Sequence, residues 1–206
     1  CTTVVAGENR QRQYREGVYV GYRYFDTAKR EVLFPFGHGL SYTTFDYLKA
    51  QVGNDTLKAD GLLELQVTLR NSGTRAGAEV IQVYRDSGSS ATHQPAQQLC
   101  GFAKITLQPG ATETVTIAME PDTFRVFDHG AQRWILEAGP VKLRVGSSSR
   151  DIRLTHAINV VSNEVLSDTA KTTGAPEFMP PAHASALQVS DELFSQMLNK
   201  PAPSGE

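Results

Sequence analysis

From residue 63 to residue 70, apolar and polar side chains alternate without a break: Leu63, Leu65, Val67 and Leu69 against Glu64, Gln66, Thr68 and Arg70. A period of two cannot form a helical stripe. It puts the apolar set on one face of an extended strand and the polar set on the other. The pattern recurs. Val115, Ile117 and Met119 alternate with Thr114, Thr116 and Ala118; Val141, Leu143 and Val145 with Lys142 and Arg144; Ile152 and Leu154 with Asp151 and Arg153. Each run has one face for a core and one for water, as in an antiparallel sheet covered on one side. Turn signals separate the runs at Asn71-Ser72-Gly73, Pro109-Gly110, His129-Gly130 and Gly139-Pro140.

Short strands at roughly ten-residue spacing, with no helical periodicity, predict a β-sandwich or barrel. About seven strands in about 110 residues fit an immunoglobulin-like or fibronectin-III-like antiparallel sandwich, so the fold class is mainly β. Trp134, the only tryptophan, sits in the apolar run Trp134-Ile135-Leu136 and is expected in the core or between the sheets, with stacking on a sugar as the alternative.

The chain has 206 residues, 40% of them hydrophobic, room for one sizeable domain with appendages. A net charge of −2 supplies no basic field for nucleic acid or an anionic membrane. No run approaches the roughly 18 apolar residues of a membrane span. Two cysteines, Cys1 and Cys100, make no disulfide framework; a free thiol at Cys100 and a Cys1–Cys100 pair both remain open. The start at Cys1, without Met or a signal-peptide pattern, suits a piece of something longer or a trimmed chain.

Composition divides the chain in three. Residues 1–44 are rich in aromatic residues and glycine, 45–160 carry the strand-and-turn pattern, and 161–206 hold half of the ten prolines with net negative charge. In that tail Pro176, Pro180 and Pro181 forbid regular structure. A short helix is expected over 184–198, capped by Ser190, with Leu187, Leu193, Phe194, Met197 and Leu198 on one face. The tail is either an extended strap with a docked helix or disordered.

The first region carries a long signature. Glu16-Gly17-Val18-Tyr19-Val20-Gly21-Tyr22-Arg23-Tyr24-Phe25-Asp26, followed by Leu33-Phe34-Pro35-Phe36-Gly37-His38-Gly39-Leu40-Ser41-Tyr42-Thr43-Thr44-Phe45, resembles the segment that joins the α/β domain of family 3 glycoside hydrolases to their fibronectin-III-like domain. Asn71-Ser72-Gly73, Ala76 to Tyr84, Gln98-Leu99-Cys100-Gly101-Phe102, Leu107-Gln108-Pro109-Gly110 and Val145 to Ile152 are similar to successive parts of that domain. The family usually has Tyr or His where His38 stands, and often a basic residue where Cys100 stands. The likeness spans about residues 12–155.

The resemblance implies the C-terminal portion of a β-glucosidase-type enzyme. Residues 1–44 would be the end of the α/β domain and a linker, 45–160 the fibronectin-III-like sandwich, and 161–206 the tail. The family's aspartate nucleophile and glutamate acid/base come from domains preceding this segment, so no catalytic residue is assigned here. The implied activity is retaining hydrolysis of terminal non-reducing β-D-glucosyl residues. The alternatives are β-xylosidase or other exo-glycosidase specificity, or a stand-alone carbohydrate-binding or adhesion module. The implied partners are the remaining catalytic domains, which hold the glucoside, with the tail as a candidate homodimer contact. No cofactor, nucleic acid or membrane is implied. An extracellular or periplasmic setting is favoured, with the cytoplasm as the alternative.

The residues themselves offer little chemistry. A retaining glycosidase needs two carboxylates about 5 Å apart. Of the 22 acidic residues only Glu16 and Asp26 lie in the signature, and Asp26 reads as the end of an aromatic strand. Asp122, Asp128 and Asp151 read as turn residues. His38, His93, His129, His156 and His183 are not at metal-ligand spacing. Gly37-His38-Gly39 is no phosphate loop, because no helical run follows; it lets the chain turn beside Phe34, Phe36 and Tyr42. The rings Tyr19, Tyr22, Tyr24, Phe25, Phe34, Phe36, Tyr42 and Phe45 read as one side of an interface, with sugar stacking as the alternative. Arg23 among them is expected to meet a carboxylate of another domain. Asn54-Asp55-Thr56 matches a glycosylation sequon.

Overall fold

A computed structural model of the chain describes residues 4–6, 12–14, 17–88, 90, 92, 94–128, 130–168, 191, 192, 195 and 201. Two sheets face each other. The three-stranded sheet has the order β3 (Phe45–Val52), β5 (Leu63–Asn71), β8 (Thr112–Met119). The five-stranded sheet has the order β4 (Thr56–Lys58), β12 (Ile152–Val161), β11 (Gly139–Gly146), β6 (Gly77–Asp86), β7 (Gln97–Leu107). All pairings in both sheets are antiparallel except the short β4, which runs parallel to β12 and departs from the expected antiparallel pattern.

The alternation read in the sequence governs which side chains meet. Leu65, Val67 and Leu69 of β5 are fully buried, and Leu63 nearly so. They face Ile81 and Val83 of β6 and Leu143 and Val145 of β11 in one continuous core. Each such side chain contributes about 1.5–3 kcal/mol by leaving water. The mainly β antiparallel sandwich expected from periodicity is the fold observed.

Smaller elements decorate it. β1 (Val4–Ala6) pairs with β2 (Arg12–Tyr14), and β9 (Val126–Asp128) with β10 (Arg133–Ile135), both antiparallel. A 3-10 turn, Pro121–Phe124, precedes β9. No helix among the described residues is long and apolar enough to cross a membrane.

Three expectations are corrected. The aromatic run around Asp26 is not a strand but a helix, α1 (Tyr22–Thr27). Its β-favouring aromatics take helical geometry because packing on the sandwich outweighs local propensity. Gly21, at φ +59, turns the chain into it. Gly139-Pro140 is not a turn but the start of β11, paired with Val160 and Asn159. Trp134 is not in the core. It stands opposite Phe127 on the outer face of the β9–β10 hairpin, 62% exposed, while Ile135 opposite Val126 turns inward.

The tail begins as a docked strap. Leu166 is buried against Val126 and Ile135. Glu164 accepts from the Leu136 amide at 2.7 Å and from Arg125 Nη1 at 3.0 Å. Asp128 accepts from the Ser167 amide and hydroxyl. The helix expected over 184–198 lies mostly outside the described residues; within them Asp191, Glu192 and Ser195 are helical. Cys100 is a buried thiol beside Met119, and Cys1 lies outside the described residues.

Candidate functional site

The signature segment wraps the outer face of the five-stranded sheet, and polar anchors fix it there. Gln82 of β6 donates from Nε2 to the carbonyls of Gly37 at 3.1 Å and Ser147 at 2.6 Å, and its Oε1 accepts from the Tyr84 hydroxyl. A Cβ at Gly37, which sits at φ +80, would fall 2.0 Å from Gln82 Oε1, so only glycine permits this approach. The Ser149 amide donates to the Phe36 carbonyl at 2.9 Å. The Leu99 amide donates to the Tyr22 hydroxyl at 2.8 Å, and the Ala96 amide to Thr27 Oγ1 at 2.9 Å.

Asp26, the described one of the two acidic residues singled out, is a structural anchor. Its Oδ1 lies 2.7 Å from Arg150 Nε and its Oδ2 accepts from Gln97 Nε2 at 3.2 Å. Arg150 also donates from Nη2 to the carbonyls of Arg30 and Phe25. Among the described residues Asp26 is the only carboxylate lining the cleft beside it, so it has no paired carboxylate there. Glu16 lies outside the described residues.

The rings separate into two sets. Tyr19, Tyr24 and Phe45 are buried. Tyr22 stacks on Phe36 at 4.5 Å between centroids and meets Tyr84 edge-on at 5.9 Å. Phe34 stacks on His38 at 5.2 Å. Outward stand Leu33, Phe34, Phe36, Leu40 and Tyr42, the last 91% exposed. Phe102 and Val80, on the sheet face that also carries Gln82, are exposed as well. These exposed apolar side chains lie on a segment anchored to the sandwich and on the sheet face beside its anchor Gln82.

The other singled-out residues do not converge. Arg23 is half-buried and its guanidinium has no hydrogen-bond partner among the described residues. His156 meets Asp55 at 2.7 Å, far in sequence from His38, while His93, His129 and His183 lie outside the described residues. Asn54 is exposed in the turn before β4 and accepts from the Thr56 amide. Asp122 binds Arg125, and Asp151 binds Arg153 and Ser147. No group of three His, Cys, Asp or Glu residues suited to a metal occurs among the described residues.

Sequence reasoning missed Gln82, Asn71 and Arg150 as anchors. Asn71 is fully buried. Its Nδ2 donates to the carbonyls of Arg75 and Leu107, and its Oδ1 accepts from Thr43 Oγ1 and the Gly73 amide. The signal available was a polar residue standing at a position of the strand pattern that faces the core.

Comparisons with known proteins agree with this fold. A fibronectin type III-like domain model matches residues 79–149. The chain is 38% identical over 156 residues to thermostable beta-glucosidase B of Acetivibrio thermocellus, covering 76% of this chain and 21% of that protein. It is 44% identical over 155 residues to the probable beta-glucosidase K of Emericella nidulans, covering 74% and 18%. Among solved structures, DesR, a beta-glucosidase from Streptomyces venezuelae in complex with D-glucose, superposes with a TM-score of 0.69 at 40% identity, over 74% of this chain and 19% of that one. The chain thus spans about a fifth of the length of the relatives it matches.

Proposed function

We propose that this chain, which belongs to the family 3 glycoside hydrolases of β-glucosidase type and carries their fibronectin type III-like domain, braces the catalytic part of such an enzyme and leaves the bond-breaking to it. The supporting observation is the outward set of rings. Leu33, Phe34, Phe36, Leu40 and Tyr42 are exposed on a segment that Gln82, Tyr22 and Arg150 hold rigidly to the sandwich. A fixed apolar surface costs little conformational entropy when a partner domain covers it.

The whole enzyme would hydrolyse terminal β-D-glucosyl residues with retention, using two carboxylates outside this chain. The test is turnover of an aryl β-glucoside. The purified 206-residue chain turns over none, whereas the same chain continuous with the catalytic domains does. Hydrolysis by the isolated chain above a host-background control overturns the brace. A substrate panel on the longer enzyme separates glucosidase from xylosidase specificity.

The exposed Trp134, edge-on to Phe127 at 5.5 Å, favours a second reading as a carbohydrate-binding module. Retention of the isolated chain on insoluble glucan, abolished by Trp134→Ala, would support that reading over the brace.

A further inference from the structure

We propose that Asn54 is an acceptor site for an N-linked glycan, added in a secretory pathway from a lipid diphosphate-linked oligosaccharide. Asn54-Asp55-Thr56 has the pattern such a transfer needs, an asparagine followed two positions later by a hydroxyl residue, with no proline between. Asn54 is the only asparagine in the chain so followed. Neither the core nor the anchored aromatic segment uses it.

The fold presents this asparagine to solvent. Asn54 is exposed in the turn between β3 and β4, and Thr56 is half-buried at the start of β4. Asn54 Oδ1 accepts from the Thr56 amide at 3.0 Å, which closes the turn and keeps the carboxamide near the threonine. At the other end of the carboxamide, Nδ2 has no hydrogen-bond partner among the described residues, and neither has the Thr56 hydroxyl. The middle residue is the one tied down. Asp55 Oδ1 lies 2.7 Å from His156 Nε2, and the Asp55 carbonyl accepts from the Asn159 amide at 2.7 Å, both partners on β12. A Cβ at the preceding Gly53 would meet nothing within 4 Å, so open space adjoins the turn.

The transfer changes only the free end of that side chain. Nδ2 forms a bond to the anomeric carbon of the sugar and gives up one proton. The bond from that carbon to the diphosphate oxygen breaks, and the lipid diphosphate leaves with the electron pair. Nothing is oxidised or reduced. Oδ1 remains an acceptor in the product, so the bond from the Thr56 amide, and with it the turn, survives glycosylation. The location also suits a bulky polar group. β3 and β4 are each the outermost strand of their sheet, and this turn joins them. Open strand edges invite pairing with another chain, and a large solubilising group beside them opposes it.

The full 206-residue chain is translated behind a cleavable secretion leader in a cell-free system supplied with eukaryotic microsomes. Translocated product is recognised by its protection from added protease, and its mass is read before and after a peptide-N-glycosidase, which removes the glycan and converts the acceptor asparagine to aspartate. The expected result is a glycosidase-sensitive glycan on the translocated chain, mapped by peptide mass spectrometry to Asn54. It is lost in Asn54→Gln, which alters an exposed side chain, and in Thr56→Ala, and it is kept in Thr56→Ser, which retains the hydroxyl. Translocated parent chain without a glycan overturns the proposal, as does a glycan that persists in Asn54→Gln or in Thr56→Ala.

Discussion

Asp26 and Arg150 meet at 2.7 Å across 124 positions of the chain, the first in α1 and the second in the loop between β11 and β12. This pair, with the carbonyls of Phe25 and Arg30 on the same guanidinium, fastens the aromatic segment to the sandwich. Asp26→Ala leaves Arg150 and Gln97 short of an acceptor and is predicted to cost about 1–3 kcal/mol of stability. Chemical denaturation checks it. A variant as stable as the parent would show that the anchor carries no weight.

Gly37→Ala is predicted to lift the segment from the sheet. The added Cβ would collide with the Gln82 amide, and the backbone at φ +80 is strained for any L side chain. The expected cost is about 1–3 kcal/mol. Hydrogen exchange reports it as faster exchange at the Ser149 amide, which donates to Phe36. Unchanged protection at Ser149 contradicts the predicted displacement.

The core of the sandwich was legible because strand alternation is a local record of which face is buried. Leu63 to Leu69 illustrate it: the period of two survives unaltered from sequence to packing. What escaped was set by tertiary contact. The run Tyr22 to Asp26 has strand-forming side chains yet is helical, because Gly21 turns it and the sheet face receives its rings. Trp134 reads as core by hydrophobicity alone, and only the pairing of Ile135 with Val126 decides that it faces outward. The anchors Gln82 and Arg150 join positions far apart in the chain, and no local pattern marks such pairs. Asp128 reads as a turn residue from the sequence alone. It does bind the Ala131 amide, but its link to Ser167 was invisible from either end.

That last contact predicts an acid response. Asp128 is fully buried. Burial alone would raise its pKa, but the hydroxyl and amide of Ser167 and the amides of Ala131 and Gly130 outweigh it and hold the carboxyl at about 2. The folded value lies below the unfolded value of about 3.9. The stabilisation is therefore fully present above pH about 4 and is lost as pH falls from there toward 2. Acid unfolding of the parent and of Asp128→Asn checks this. The parent loses stability more steeply in that window, and equal slopes would refute the assignment.

The outward rings test the brace most directly. Oxidative footprinting compares Phe34, Phe36 and Tyr42 in the isolated 206-residue chain with the same residues in the longer enzyme. Heavy labelling in the isolated chain and strong protection in the longer enzyme is the predicted result. Equal labelling in both would mean that nothing covers those rings, and the joint they are argued to form would not exist.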